Sequence, residues 1–190
     1  MEVDKTIYIA TRREWRAWLR ANYKTEKSVW LIYYRKESGK PRLPYNDAVE
    51  EALCFGWIDS TIKKVDHERF AQRFSRRNPK SPYSQANIER LRALIAKGKV
   101  VKDVLETLPR IDDPIGAKFV VPRDILEAVK ADKEAWENFK RFSPSYIRIR
   151  VGFIDRSRNR PDAFKTRLNY FVKMTAKGKQ FGFGGIEKYY

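Results

Sequence analysis

The sequence predicts an α+β fold in which a small mixed or antiparallel sheet with packed helices comes first and a helical part follows. Three observations lead to this prediction. Segments typical of strands occur only before residue 75, and helical periodicity dominates after residue 120. Prolines in the second half stand where the first turn of a helix tolerates them. Strands and helices do not alternate regularly, which argues against a parallel α/β sheet.

In the N-terminal part, Thr11 and Glu14 form a capping box that begins a helix. The aromatic and β-branched run from Ser28 to Arg35 predicts a strand covered on both faces, and Asn46 or Asp47 can begin a second helix. In chain order the predicted elements are a helix at 11–22, a strand at 28–35, a helix from 46 or 47 to Gly56, a hairpin of strands beginning at Trp57 and His67, a loop at 75–83, and helices at 84–97 and 102–108.

Residues 109–117, rich in proline and aspartate, predict a linker between a part at 1–108 and a helical part at 118–180. The tail at 181–190 has no periodicity, and the sequence gives no preference between a flexible and a docked tail. The predicted helices of the second part are 122–131, 133–142, 144–155 and 161–177.

Composition describes a basic chain that can bury a sizeable core. Of its 190 residues 42% are hydrophobic and 34% charged, so a domain of this size needs no disulfide or metal for stability. The single cysteine, Cys54, excludes an internal disulfide framework and a cysteine-rich zinc site. The N-terminal residues lack the apolar run of a secretory signal, and no segment has the roughly 20 apolar residues of a membrane span. We therefore expect a cytoplasmic protein with no membrane span.

The net charge of +17 falls almost entirely into two windows. Residues 63–99 hold 11 basic and 3 acidic side chains, and residues 140–180 hold 12 and 2. In the second window arginines mix with aromatic residues, a combination that suits phosphate contact and base stacking. The alternative is that these side chains only keep helix faces solvated. The arginines of this predicted basic surface are Arg148, Arg150, Arg156, Arg158, Arg160 and Arg167.

The chain lacks the motifs of common cofactor-dependent and sequence-reading proteins. It has no GxxxxGK[ST] phosphate loop, and its one histidine, His67, excludes HExxH and any two-histidine metal site within one chain. We therefore predict no cofactor and no metal. No C2H2 spacing, basic zipper or RNP-like strand is present, so a nucleic acid would be bound through its backbone, without sequence specificity.

Two segments combine residue types suited to a site. Trp57 and Asp59 share a face of a predicted strand, and a buried carboxylate beside an indole can serve as a general acid or base. The structural alternative is an Asp59 paired with an arginine of the following loop. That loop, RFSRRNPKSPYSQAN, places basic and hydroxyl groups before a helix N-terminus, where anions are favoured, although Ser84 can simply cap the helix. Its candidate ligand-binding residues are Arg73, Arg77, Lys80, Ser81, Ser84 and Asn87.

These segments, EALCFGWID and RFSRRNPKSPYSQAN, resemble motifs of the YdeI/OmpD-associated family, also labelled bacteriocin-protection proteins. The earlier EWRAWLR and VWLIYYRK and the later FSPSYIRIRVGFIDRSRNRPDAFKTRLNYFVKMTAKGK are also similar, so the resemblance extends over nearly the whole chain. Arg76, Pro82 and Tyr83 depart from the family pattern, which has proline, asparagine and tryptophan there. The resemblance implies an intracellular α+β protein and carries no established reaction, substrate or cofactor.

The sequence thus leads to the hypothesis of a non-catalytic protein that binds an anionic partner, either a nucleic-acid backbone or a small anion. Its pocket would be formed by Arg77, Lys80, Ser84 and Asn87, with Trp57 and Asp59 as the floor. One alternative is an enzyme acting on a small anionic substrate, with Asp59 as acid or base and Arg77 as the clamp. Another is a protein-interaction or stress-protection factor with an exposed apolar patch. The oligomeric state is not predicted.

Overall fold

The computed structural model describes residues 5–108, 119–182 and 185–190. These residues form one four-stranded sheet and eight α-helices, which confirms the predicted α+β class. They divide into two compact units, the first within Met1–Pro82 and Ala93–Pro109 and the second within Tyr83–Arg92 and Arg110–Tyr190. The predicted linker at 109–117 lies outside the described residues, so the predicted domain boundaries stay predictions. None of the described helices has the length and apolar character needed to cross a membrane.

The sheet belongs to the first unit and has the strand order β1-β2-β4-β3. Strand β1 pairs in parallel with β2, and the other two pairs are antiparallel, so the sheet is mixed. Adjacent β3 and β4 form the predicted hairpin, and β4 continues through Ser75 and Arg76 because both pair with neighbouring strands. The short β1 was not predicted, since three residues carry no recognisable period. The strands are β1 Thr6–Tyr8, β2 Ser28–Tyr34, β3 Trp57–Lys64 and β4 Arg69–Arg76.

Helix α1, Arg12–Asn22, begins with the predicted capping box, in which the Thr11 hydroxyl accepts from the Glu14 N–H and the Glu14 carboxylate accepts from the Thr11 N–H. Trp15 of this helix packs against Phe74 of β4 with ring centroids 5.2 Å apart and donates to the Ala48 carbonyl at 3.0 Å. Both tryptophan contacts fasten α1 to the core of the first unit.

Helix α2, Tyr45–Cys54, starts one residue before the predicted caps, with Pro44 as its N-cap. The Asn46 amide donates instead to the Glu50 carboxylate, and Asp47 pairs with Arg12 at 3.0 Å. The side chains that were expected to cap the helix are therefore engaged in other contacts.

Buried ion pairs join α1 to α2. Arg12 contacts Glu51 at 2.6 Å and Glu50 at 2.9 Å, and Arg16 contacts Glu51 at 2.6 Å, while both glutamates are almost fully buried. Burial by itself lowers the pKa of Arg12, but the hydrogen bonds and charges of Glu51 and Glu50 outweigh it and raise that pKa. Because buried carboxylates need such partners, these glutamates are structural.

The first unit also contains α4, Lys102–Leu105, shorter than predicted, and the second unit contains α5 to α8. Helix α3, Gln85–Ala96, contributes its first part to the second unit and its last residues to the first. Helices α5 to α8 enclose a core centred on Val129, Tyr146 and Phe171, and the tail docks onto it through Tyr190, whose ring lies 4.7 Å from that of Tyr146. These helices are α5 Arg123–Lys130, α6 Lys133–Phe139, α7 Pro144–Asp155 and α8 Pro161–Ala176.

Candidate functional site

One face of the sheet in the first unit carries a polar cluster. Residues directly opposite each other in antiparallel strands share a face. Leu31 opposes Gln72, and Asp59 opposes Phe74, so Tyr33, Gln72 and Asp59 lie on the same face as Phe74, where Trp15 of α1 packs. Three strands therefore bring polar side chains to one region of an otherwise apolar layer.

Asp59 is half-buried, and two neutral donors converge on one of its oxygens. The Tyr45 hydroxyl donates to Asp59 Oδ2 at 3.0 Å, and the Gln72 amide donates to the same atom at 2.8 Å. Tyr45 comes from the first turn of α2 and Gln72 from β4, so the carboxylate is oriented from a helix and a strand. Neither of these two donors is a loop arginine, and the pairing of Asp59 with an arginine of the following loop stays a prediction.

Tyr33 adds a buried hydroxyl to the same face. Its side chain is only 4% exposed, and its hydroxyl has no hydrogen-bond partner among the described residues. Burial first, and then the charges of Asp59 and Tyr45, raise the pKa of Tyr33, while Arg42 opposes them. The phenol is therefore neutral and available as a donor. The sequence analysis did not single out Tyr33, because this residue lies within an apolar run. The only sign in the sequence was a residue with a polar hydroxyl in a strand predicted to be covered on both faces.

Trp57 is a core residue. Its indole is fully buried, donates to the Tyr23 carbonyl at 3.3 Å and meets Trp18 edge-on with centroids 5.8 Å apart. Arg73 lies on the opposite face of the sheet from Asp59, because it opposes Trp30. The structure therefore brings neither an exposed indole nor the Arg73 guanidinium to the Asp59 carboxylate.

The loop after β4 is held by its own hydrogen bonds. The Arg77 guanidinium donates to the Ser81 carbonyl at 2.7 Å, and the Arg77 N–H donates to the Gly56 carbonyl at 2.9 Å. Asn78 accepts from the Lys80 N–H at 2.9 Å through its side chain and from the Ser81 N–H at 3.0 Å through its carbonyl. One donor of Arg77 thus closes the loop, while Lys80 and Ser81 are exposed.

Ser84 and Asn87 belong to the second unit. The Ser84 hydroxyl accepts from the Asn87 N–H at 3.2 Å, the geometry of an N-cap, and the Asn87 side-chain oxygen accepts from Arg90 at 2.9 Å. The capping role that the sequence allowed for Ser84 is therefore present. Since Arg77 and Lys80 lie in the first unit, a single pocket formed by all four residues stays a prediction.

Two arginines of the predicted basic surface form ion pairs. Arg148 makes a two-pronged pair with Glu89, at 2.6 and 3.0 Å. Arg158 does the same with Asp124, at 2.9 Å on both prongs, and its Nε lies 2.5 Å from Asp155. Hydrogen bonds to Asp124 and Asp155 raise the pKa of Arg158. These cations are neutralised within the second unit.

Two further arginines pack on aromatic rings. Arg150 is 4% exposed, donates to the Phe181 carbonyl at 3.1 Å and stacks on the Phe181 ring. Arg167 lies 3.8 Å from the centroid of the Phe153 ring and donates to the Phe153 carbonyl at 3.0 Å. Burial and the charges of Arg160 and Arg150 lower the pKa of Arg167. The mixture of arginine and aromatic residues thus helps to build this unit.

A group of exposed cations of the second unit lies along α8 and at its ends. Lys165, Lys173 and Lys177, which we call the lysine face, fall within about 120° of each other around the helix at 100° per residue. Arg156 and Arg160 precede the helix and are also exposed. No ion pair or hydrogen bond of these five side chains occurs within the described ranges. The three lysines fall in the second basic window, where only arginines had been singled out from the sequence.

An open groove of about 540 Å³ borders the lysine face. It is lined by Lys173 and Lys177 on one side and by Asp132 and Glu134 near the start of α6 on the other. Acidic groups therefore stand opposite two of the three lysines, and they lower the local positive potential.

The described residues hold no cluster of His, Cys, Asp and Glu that could bind a metal ion. Cys54 is buried; burial first and then the charge of Glu51 raise its pKa to about 11, and Arg16 only partly opposes them. A protonated thiol in the core is a poor nucleophile. His67 is exposed in the turn between β3 and β4.

Comparison with known families matches two successive parts of the chain to two different family models. Residues 7–107 match a domain of unknown function (DUF8412), a match that covers more than half of the chain. Residues 118–178 match the bacteriocin-protection, YdeI or OmpD-associated family. The latter match is shorter than the resemblance indicated, because EALCFGWID and the following loop fall within the former. No curated protein and no solved structure matches the chain.

Proposed function

The chain belongs to the DUF8412 family and carries a YdeI/OmpD-associated domain at 118–178, and from that premise we propose that it binds the backbone of nucleic acids through this domain. The observation that carries the proposal is the charge of residues 156–179, which include eight basic residues and one acidic residue. A duplex carries one phosphate charge per about 1.7 Å of its axis, so a helix face with several unpaired cations can neutralise several phosphates at once.

The cations available for such binding overlap only in part with those that the sequence singled out, since Arg156 and Arg160 are exposed and the lysine face is added to them. Arg148, Arg150, Arg158 and Arg167 are engaged within the second unit, whereas the lysine face is exposed. Exposed lysines act as point charges with flexible stems and suit backbone contact without base readout. The proposal is therefore non-specific binding that is strongly dependent on salt.

Three hydrogen bonds favour binding over acid–base catalysis at Asp59. Tyr45 and Gln72 orient the Asp59 carboxylate on the sheet face, and the Arg77 guanidinium donates to the Ser81 carbonyl. The enzymatic alternative needs Arg77 as a substrate clamp opposite Asp59, and one donor of Arg77 is already used within its own loop.

The test is the binding of a fluorescently labelled 20-base-pair duplex of mixed sequence, followed by anisotropy between about 50 and 200 mM salt. The triple variant K165E/K173E/K177E removes the lysine face. Removing one phosphate contact lowers the slope of log K against log salt by about 0.9, so the variant is expected to show a slope smaller by about 2.7.

The matched control is K27E/K36E/K102E, which makes the same change in net charge at exposed lysines of the first unit outside both basic windows. It is expected to keep the wild-type slope. Absence of binding at the lowest salt, or an equal reduction in both triple variants, would overturn the proposal, since net charge alone would then account for the interaction.

A further inference from the structure

The second unit contains a small cavity that is separate from the groove beside the lysine face. Its volume is about 130 Å³, and all of the residues that line it belong to the second unit. An engineered cavity of about 150 Å³ in another protein holds one benzene molecule, so a cavity of this size suits a ligand of about one ring. The three lysines of the lysine face are not among its lining residues. The cavity is therefore a candidate site in its own right.

The wall of this cavity is mainly apolar, and it extends from the core of the unit to the surface. Val151 of α7 is fully buried, whereas Val120 is 74% exposed, and both line the cavity. The cavity is therefore open to solvent at Val120. The aromatic residues Phe119 and Tyr83 also line it. Since aromatic rings pair favourably with other rings, this wall favours an aromatic ligand.

Gln85, in the first turn of α3, forms another part of the wall by lying against α7. A Cβ atom on Gly152 would stand 2.5 Å from Gln85 Cγ, closer than two unbonded carbon atoms approach each other. Glycine inside a helix is less favourable than alanine, and the close contact with Gln85 explains a glycine at this position. The contact holds the Gln85 side chain at the cavity, where its amide makes no hydrogen bond within the described residues. This amide is available to donate to a ligand.

One cation at the cavity has no counter-ion within the described residues. Arg156 lines the cavity, is exposed and forms no ion pair there. Asp155 also lines the cavity, but the Arg158 Nε donates to its carboxylate at 2.5 Å. Arg158 pairs with Asp124 as well, so these three side chains form one ion-pair network. Arg156 stands outside this network and is the charged group of the wall that can pair with a ligand.

We propose that this cavity binds a small aromatic carboxylate of one ring. The ring lies against Phe119 and Val151. The carboxylate pairs with the Arg156 guanidinium at the exposed end and accepts a hydrogen bond from the Gln85 amide. A mainly apolar wall with one unpaired cation fits a ligand that has one apolar ring and one negative charge, and hydrogen bonds between charged partners are the strong ones. This site goes beyond nucleic-acid binding and does not depend on it.

The test is a titration of the isotope-labelled full chain with benzoate, followed by two-dimensional NMR up to about 10 mM, a range suited to so small a ligand. Benzoate is expected to shift the amide signals of Val120 and Gly152. Benzamide, which has nearly the same shape without the charge, is expected to bind about fivefold more weakly. Inorganic phosphate, which has no ring, is expected to leave these signals in place. Absence of a benzoate shift, equal affinity for benzamide, or an equal shift with phosphate would overturn the site.

Arg156→Gln is the decisive variant, because it removes the unpaired charge at an exposed position. It is expected to lower the affinity for benzoate about fivefold and to leave the affinity for benzamide unchanged. Arg160→Gln, the same change at an exposed arginine that does not line the cavity, is the matched control and is expected to bind benzoate like wild type. Wild-type affinity in Arg156→Gln, or an equal loss in Arg160→Gln, would overturn the proposal.

Two further variants test the apolar wall and the independence of the site. Val120→Ala is expected to weaken benzoate and benzamide alike, since it removes an apolar contact that both ligands share. K165E/K173E/K177E is expected to bind benzoate like wild type, so a failure of duplex binding leaves this site standing. Loss of benzoate binding in the triple variant would overturn the proposal, because the anion would then lie on the lysine face.

Discussion

Arg148 on α7 donates two parallel hydrogen bonds to Glu89 on α3, from Nε to Oε1 at 2.6 Å and from Nη2 to Oε2 at 3.0 Å. Glu89 is nearly buried, and Arg92 contacts it from within α3 at 2.7 Å. A planar guanidinium matched to a carboxylate in this way is a positioning contact. Because Glu89 neutralises it, the charge of Arg148 is removed from the basic surface that the count along the sequence predicted.

Arg148→Gln is expected to lower the free energy of unfolding by about 2 kcal/mol, because it leaves a nearly buried glutamate with Arg92 as its remaining described partner. The measurement is urea denaturation followed by circular dichroism. Arg156→Gln, the same change at an exposed arginine, is expected to stay within about 0.5 kcal/mol of wild type. Equal effects of the two variants would contradict a stabilising role for the ion pair.

The hydrogen bonds of the β3–β4 turn predict that the stability of the folded state decreases at acid pH. The Arg69 side chain, and then the N–H groups of Glu68 and Arg69, hold the pKa of Asp66 below its ordinary value. A carboxyl with a depressed pKa stabilises the folded state above its unfolded pKa of about 3.9, and that contribution is lost as pH falls through the lower folded value. Titration by NMR is expected to place the Asp66 pKa below about 3.9.

Arg69→Gln supplies the control for this titration. It removes the first cause of the shift and keeps the two backbone donors, so the Asp66 pKa is expected to rise toward its ordinary value without reaching it. An unchanged pKa in the variant would show that the turn's backbone N–H groups alone account for the shift.

The fold was predictable wherever its causes are local. The capping box of Thr11 and Glu14 and the first-turn proline Pro144 act within one turn, and both helices begin where the sequence places them. The start of α2 was harder to predict, because Asp47 forms its ion pair with Arg12, a side chain that approaches it only once α1 and α2 have packed.

The candidate sites were likewise predictable where the cause is local and not where it depends on packing between elements. Alternation along a strand was enough to place Trp57 and Asp59 on one face. The state of the Tyr33 hydroxyl depends on Asp59 and Tyr45, which come from other elements, so periodicity could not reveal it. Charge counting located the basic domain but could not separate Arg150, which is buried, from the exposed lysines.

The burial of Cys54 predicts that its thiol does not react with thiol reagents in the native protein. With the pKa of Cys54 raised to about 11 by burial, the thiolate fraction at pH 8 is about one in a thousand, and access is closed as well. The native protein is expected to resist Ellman's reagent at pH 8 and to release one equivalent of thiolate product after denaturation in urea. Rapid labelling of the native protein would contradict the placement of Cys54 in the core.

Glu134 gives the proposed nucleic-acid surface a test by gain of affinity. It lines the groove opposite Lys173 and Lys177, where its charge repels a phosphate brought to those lysines. Glu134→Gln is therefore expected to strengthen duplex binding about twofold near 50 mM salt and by less near 200 mM, since salt screens the repulsion. Glu37→Gln, an equal change of charge at an exposed residue of the first unit, is the control. A gain confined to Glu134→Gln identifies the groove beside α8 as the place where the backbone lies, whereas equal gains in both variants would mean that the duplex responds only to net charge.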